Sequence, residues 1–222
     1  MSDNSSAFNA MEYDEMIKNT IPYYEDFYNQ VVDIANIQFH RPVTWLDIGC
    51  GTGKMEEIAL IKGNIEKLVA CDVSEKMIDI VRERFKNKKI EFITASVFDL
   101  CINKQFDVIT AIQVFHYFQK KERIEAVRKC YEALKSNGIF VTFENFSPNS
   151  KIGEQLFLER WKQFQLLQGR SVEESSKHIS RYGEAYFPIT ISEHLEVLKH
   201  CGFVNSEILW VSNMQVGLLG IK

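Results

Sequence analysis

The feature that most constrains this chain is the run Thr44-Trp45-Leu46-Asp47-Ile48-Gly49-Cys50-Gly51-Thr52-Gly53, an apolar strand that meets an acid and then breaks into alternating glycines. Glycines at 49, 51 and 53 let the backbone turn sharply and leave room for a ligand to lie against it. A helix is predicted to follow, starting near Lys54 to Glu57. A glycine-rich turn alone can also be a tight βα loop, so its surroundings decide. The dinucleotide fingerprint G-x-G-x-x-G requires glycine at 54, where this chain has Lys54. Nineteen residues beyond Gly53 the next apolar run ends in Asp72, placed where a carboxylate can accept hydrogen bonds from both hydroxyls of a ribose.

The remainder of the chain alternates in the same manner. Val43 to Ile48, Leu68 to Cys71, Ile90 to Ala95, Phe106 to Val114 and Ile139 to Phe143 are short apolar runs rich in β-branched residues, the pattern of buried parallel strands. Between them, Ser74 can cap a helix with the apolar stripe Met77, Ile78, Val81 and Phe85. Ile124, Val127, Tyr131 and Leu134 mark another helix, with Asn137-Gly138 expected to end it. Strands alternating with helices of this length give an α/β doubly wound sheet, parallel for most of its width. The last two runs, Ser206 to Val211 and Gln215 to Ile221, are separated by only three residues, too few for a parallel crossover, so they form an antiparallel hairpin.

Composition narrows the partners. The net charge of −4 and pI near 5.8 supply no general attraction for a phosphate backbone, which disfavours nucleic acid and favours a small-molecule substrate. No stretch approaches the roughly 20 apolar residues of a membrane span, and cytoplasmic is the expected location. The five cysteines, Cys50, Cys71, Cys101, Cys130 and Cys201, stand singly and suggest neither a zinc site nor a disulfide framework. The first eight or so residues, rich in Ser and Asn, are expected to be disordered. The expectation is one domain over 1–222, a monomer or homodimer, with an N-terminal helical cap over 1–40 and a lid insertion over 145–190.

LDIGCGTG, ACDVSEKMID, IEFITASVFDL, FDVITAIQVFHYF and LKSNGIF, taken in order, resemble the successive motifs of the class I S-adenosylmethionine (SAM)-dependent methyltransferases. They cover about residues 40 to 145. The resemblance implies a Rossmann-like fold with SAM as cofactor and no metal. Gly49 and Gly51 would then lie against the methionine part of SAM, Asp72 would hold the ribose and Val73 would pack on the adenine. Asp47, Cys50, Gly53, Met77, Val97 and Gln113 would complete the cofactor's surroundings. Many members of this family have an acid after the third strand to bond the adenine amino group. Here that position is Ser96, so either Ser96 replaces it or Asp99 reaches across.

The fourth strand runs into Ala111-Ile112-Gln113-Val114-Phe115-His116-Tyr117 at the carboxyl edge of the sheet, where ligands of this fold bind. His116 is the titratable residue placed to take a proton from an incoming nucleophile, although a polar residue here often only anchors the loop, which is the leading reading. Gln113 can meet the SAM amino group through its backbone carbonyl. Methyl transfer can also proceed by alignment and desolvation alone.

Two aromatic stretches outside the nucleotide motifs are candidates for enclosing the substrate: Tyr13 to Tyr28, with Tyr24 expected over SAM, and Asn145 to Ile191. The second spans about 45 residues, far longer than an ordinary connection, and such insertions are commonly lids. Phe157, Trp161, Phe164 and Leu167 form its expected apolar face, and Arg160 and Arg170 are candidates to meet an acidic substrate. Arg181-Tyr182-Gly183 with Tyr186-Phe187-Pro188 marks a turn toward the cleft, with Tyr182 a further catalytic candidate. Thr190 and Glu193 have the spacing of a capping box at the start of the last helix, which Gly202 would end.

Both outer stretches are also similar to the carboxy-SAM synthases of tRNA wobble-uridine modification, through Ile21-Pro22-x-Tyr24, Ile191-x-x-His194, Gly202-Phe203 and the hairpin. In that family an arginine before the last helix grips the extra carboxylate, and the corresponding residue here is Phe187, whose ring cannot replace a bidentate guanidinium. The leading expectation is therefore an enzyme that passes a methyl group from SAM to a small molecule. The alternatives are a carboxy-SAM synthase-like enzyme and a non-catalytic SAM-binding partner subunit.

Overall fold

The computed structural model describes residues 13–100 and 104–222; the first residues and Cys101 lie outside the described residues. Seven strands, β1 (Val43–Ile48), β2 (Ile65–Asp72), β3 (Ile90–Thr94), β4 (Phe106–Ile112), β5 (Leu134–Asn145), β6 (Asn205–Ser212) and β7 (Gln215–Ile221), form one sheet. Their order is β3-β2-β1-β4-β5-β7-β6. The first five are parallel, while β7 runs antiparallel to both β5 and β6. The order reverses between β1 and β4, so the carboxyl ends of these two strands open a crevice, the usual ligand position in such sheets.

Alternate residues of each strand feed opposite layers. Val43 and Trp45 join Phe27, Val31, Val32, Met55 and Ala59 on one face, from helices α2 (Tyr24–Gln38) and α3 (Lys54–Lys62). Leu46 and Ile48 face the other way, toward Ala126, Val127 and Cys130 of α5 (Lys120–Ala133) and Val197 and Leu198 of α8 (Ile191–His200). Burial on both faces is why these strands are continuous apolar runs. Helix α4 (Glu75–Arg84) starts at Ser74, whose side chain accepts from the Met77 N–H, and buries Met77, Ile78 and Val81 as its sequence stripe requires. Thr190 and Glu193 make the capping box of α8.

Some boundaries differ from the sequence reading. Asn137-Gly138 does not terminate α5, because Leu134 already leaves the helix to pair with Phe106. The next pair in register is Val108 with Ile139, so β5 carries extra residues there, and Asn137, at φ 62°, turns them within the strand. The fourth strand stops at Ile112 rather than Val114, since Gln113 has φ 59°. The N-terminal aromatic stretch is two helices, α1 (Tyr13–Lys18) and α2, broken where Tyr23 takes φ 55°.

The segment between β5 and α8 folds into α6 (Lys151–Leu167) and α7 (Val172–Ile179). Its expected apolar face is only partly correct. Trp161 is buried at 1 % exposure and donates from Nε1 to the Thr20 carbonyl at 2.7 Å, but Leu167, at the end of α6, is 83 % exposed. Arg170 donates to Thr20 Oγ1 and Gln165 Oε1, and Arg160 lies over the Phe157 ring. This segment is therefore fastened to the N-terminal helices.

Candidate cofactor and active site

The turn after β1 is a set of left-handed residues: Gly49, Gly51 and Gly53 have φ of 69°, 54° and 89°. Two of them do different work. A Cβ at Gly53 would come within 2.5 Å of Val81 and 2.6 Å of Phe85, so this glycine lets α4 pack against the turn. A Cβ at Gly51 would meet no atom of the described residues within 4 Å, so it would project into space that they leave open. Gly51 borders a cleft of about 240 Å³ lined also by Gly49, Asp72, Val73, Met77, Ser96, Val97 and Gln113, together with Ile48, Ala95, Ile112, Val114, Tyr117 and Phe118.

Asp72 ends β2 inside this cleft, held by the Gly51 N–H at 3.0 Å and the Ser74 N–H at 2.9 Å. Burial raises its pKa even so, outweighing those two bonds. Each carboxylate oxygen has a second lone pair, so Asp72 can still accept from a vicinal diol. Gln113 closes β4 from the opposite wall; its N–H donates to the Phe143 carbonyl at 2.7 Å. A non-glycine residue at positive φ carries strain that concentrates at ligand sites.

At the adenine end, Ser96 lines the cleft but Asp99 does not reach across it. Asp99 folds back on the Ser96 N–H, while Ser96 Oγ accepts from Phe98, a reciprocal cap on the short turn 97–99. The apolar walls at this end are Val73, Val97 and Phe118.

On the far side of the glycine turn a smaller cavity is lined by Tyr24, Tyr28, Asp47, Cys50, Thr52, Lys54 and Met55, and it shares Gly49, Gly51 and Ile112 with the main cleft. Tyr24 and Tyr28 are buried and hydrogen-bonded to each other. Asp47 accepts from Thr110 Oγ1, which in turn accepts from Trp45 Nε1 at 3.0 Å. Burial pushes Asp47 up to about 7.

Two of the proposed catalytic residues sit elsewhere. His116 is only 2 % exposed and is not a lining residue of the cleft. Its N–H and Nδ1 both meet Glu144 Oε2, at 2.7 and 3.1 Å, and its carbonyl accepts from Phe187. Of the two readings of His116, base or loop anchor, this geometry favours the anchor, because Glu144 draws the ring into the protein. Tyr182 bonds Ser147 Oγ at 2.9 Å and is likewise absent from both cavity walls.

Glu144 was missed in the sequence, though a single acid inside the apolar run of β5 was its signal. It also accepts from the Phe115 N–H and from Thr142 Oγ1, and His116, Arg123 and Thr142 offset its burial and hold its pKa low. Through Arg123, whose Nη2 donates to the Phe187 carbonyl at 2.7 Å, the 181–188 turn is bolted to the same network.

Comparison with known proteins agrees with this geometry. Residues 46–138 match a family described as a methyltransferase domain. A carboxy-SAM synthase of Nautilia profundicola is 27% identical over 96% of this chain and 92% of its own. A malonyl-[acyl-carrier protein] O-methyltransferase of Acetivibrio thermocellus is 24% identical over 89% of this chain and 76% of its own. Among solved structures, the plantazolicin methyltransferase BpumL, held with a desmethyl plantazolicin analogue and S-adenosylhomocysteine (SAH), has a TM-score of 0.73 at 18% identity, covering 96% of this chain and 90% of that one. This last likeness speaks for the fold alone. The fold is the Rossmann-like one of the methyltransferases, with a cleft at the carboxyl edge of its sheet. Over residues 46–138 the chain is similar to the class I SAM-dependent methyltransferases, and the family and relative names support an enzyme of this type that uses SAM.

Proposed function

We propose that this protein transfers the methyl group of SAM to a small organic acceptor bound at the mouth of the main cleft. The observation that carries this reading is Gly51: the protein leaves its Cβ position open, beside an Asp72 already oriented by two backbone N–H groups. Bound SAM supplies an activated methyl group. The chain's part is to hold the nucleoside through Asp72 and the apolar walls Val73 and Val97, and to support the amino-acid end along Gly49, Gly51 and Gln113. Residues 145–190 and the N-terminal helices would shield the reacting groups from water. Among the described lining residues the one carboxylate, Asp72, is engaged by backbone N–H groups, which favours alignment and desolvation over general-base catalysis. The acidic balance of the chain supports a small acceptor over a nucleic acid. Screening a metabolite panel for acceptor-dependent release of SAH tests the reading; a hit expected among small organic molecules would be absent if the protein binds SAM without turnover.

A second reading, a carboxy-SAM synthase-like activity, is favoured by end-to-end similarity to such a synthase. Against it stands Phe187 at the position of the family's carboxylate-gripping arginine. Here its backbone is taken up by His116 and Arg123. Mass spectrometry of the cofactor pool after incubation with small-molecule extracts separates the two, since only this second activity adds a carboxylate to SAM itself.

A further inference from the structure

Glu56 stands in the first turn of α3, where an acid usually faces solvent and favours the helix N-terminus. Here it points inward and is 0 % exposed. Among the described residues, no N–H or O–H group of another residue donates to either of its oxygens. Of the carboxyls around it, Asp47 acts on it most strongly, ahead of Asp72. Two acceptor-only groups cannot satisfy each other unless a proton lies between them, and two buried like charges would repel strongly. The pair backs the smaller cavity through Asp47, and that cavity also holds Lys54. The Asp47 carboxyl and the Lys54 ammonium on the walls of one small chamber, with Glu56 behind Asp47, are complementary to a zwitterionic amino acid, and the chamber joins the main cleft through Gly49, Gly51 and Ile112.

We propose that Glu56 and Asp47 form a proton-sharing carboxyl pair that receives the cationic amino group of the cofactor's amino-acid end and releases its proton to solvent on binding. The proposal rests on the SAM-binding reading above and adds a positioning residue, Glu56, that acts through Asp47. The neighbours are consistent with a shared proton in the free protein. Tyr24 and Tyr28 of α2 and Thr110 of β4 are neutral donors, while Asp72 of β2 adds negative charge. Cys50 and Cys71 are thiols whose pKa burial pushes up. Arg84, at the end of α4, is a cation that opposes the shift of Glu56, and Lys54 is engaged with Glu57 at 3.1 Å. Burial first, then Asp47, raises Glu56 well above the ordinary range.

The sign follows. Below the pair's pKa the cofactor must displace a proton, so affinity climbs with pH by up to about tenfold per unit and levels off once the free pair has lost it. Titration calorimetry with SAH at pH 6.5, in two buffers of different ionisation enthalpy, reads the protons released. The parent is expected to release close to one. Glu56→Gln, whose amide can donate to Asp47 without a proton, is expected to bind with little release and a flat pH profile. 5′-Methylthioadenosine, which lacks the amino acid, should release none from the parent. SAH binding to the parent without proton release, or equal release from Glu56→Gln, overturns the proposal while leaving the cofactor site in place. Failure of both SAH and 5′-methylthioadenosine to bind would instead overturn the SAM site, and the proposal with it.

Discussion

The glycine turn between β1 and α3 and the segment between β5 and α8 solve opposite problems. In the first, backbone conformation is spent on keeping space open: a Cβ at Gly51 would meet none of the described residues, and Gln113 accepts a positive φ at the opposite wall. In the second, side chains are spent on closing space, with Trp161 tied to Thr20 and the 181–188 turn bolted to His116 and Arg123. The difference teaches where function can be looked for. Residues that make room for a ligand have few partners of their own, whereas aromatic or titratable residues with a full set of partners hold the walls.

This division can be broken by substitution. The largest effect is expected from Gly51→Val, which places a branched side chain in the open space at a left-handed residue: SAH binding should weaken by more than about 1,000-fold with the protein still folded, as calorimetry and circular dichroism would read. Trp161→Ala comes next and belongs to the other region. Removing a fully buried indole and its bond to Thr20 should cost about 3–5 kcal/mol of unfolding free energy in a denaturant titration, with SAH affinity in the surviving native protein little changed. If Trp161→Ala instead weakened SAH as much as a cleft substitution, the two regions would not be separate. Asp72→Ala should cost about 1.5–3 kcal/mol of SAH affinity, the usual loss for hydrogen bonds to a charged group. The smallest effect is expected from Tyr182→Phe, which deletes only the bond to Ser147 and should cost about 0.5–1.5 kcal/mol of stability without altering SAH binding.

The two regions also differ in how far the sequence exposed them. The strand run, the alternating glycines and Asp72 are local patterns, each set by the conformation of a few consecutive residues, so cleft and sheet could be located from them. The hairpin was legible for the same reason, because a short connection admits only one strand direction. His116 and Glu144 were different. They are 28 residues apart in sequence, one in the short turn after β4 and the other on β5, and nothing local announces that a carboxylate will meet that imidazole and turn it inward. Arg170 was expected to meet a substrate and bonds Thr20 instead, 150 residues away. Helical spacing in α6 predicted Trp161 correctly and Leu167 wrongly, since the helix ends where Leu167 leaves its packing partners. Glu56 was passed over because an acid in a first helical turn is ordinary, and only the packing of α3 on β1 places it beside Asp47.

The central claim is that the open space around Gly51 and Asp72 is a SAM site, and titration of the parent protein with SAH tests it most directly. The account predicts saturation at one molecule per chain, lost in Gly51→Val and weakened in Asp72→Ala. Parent and Gly51→Val binding SAH equally, or the parent not binding at all, would contradict it.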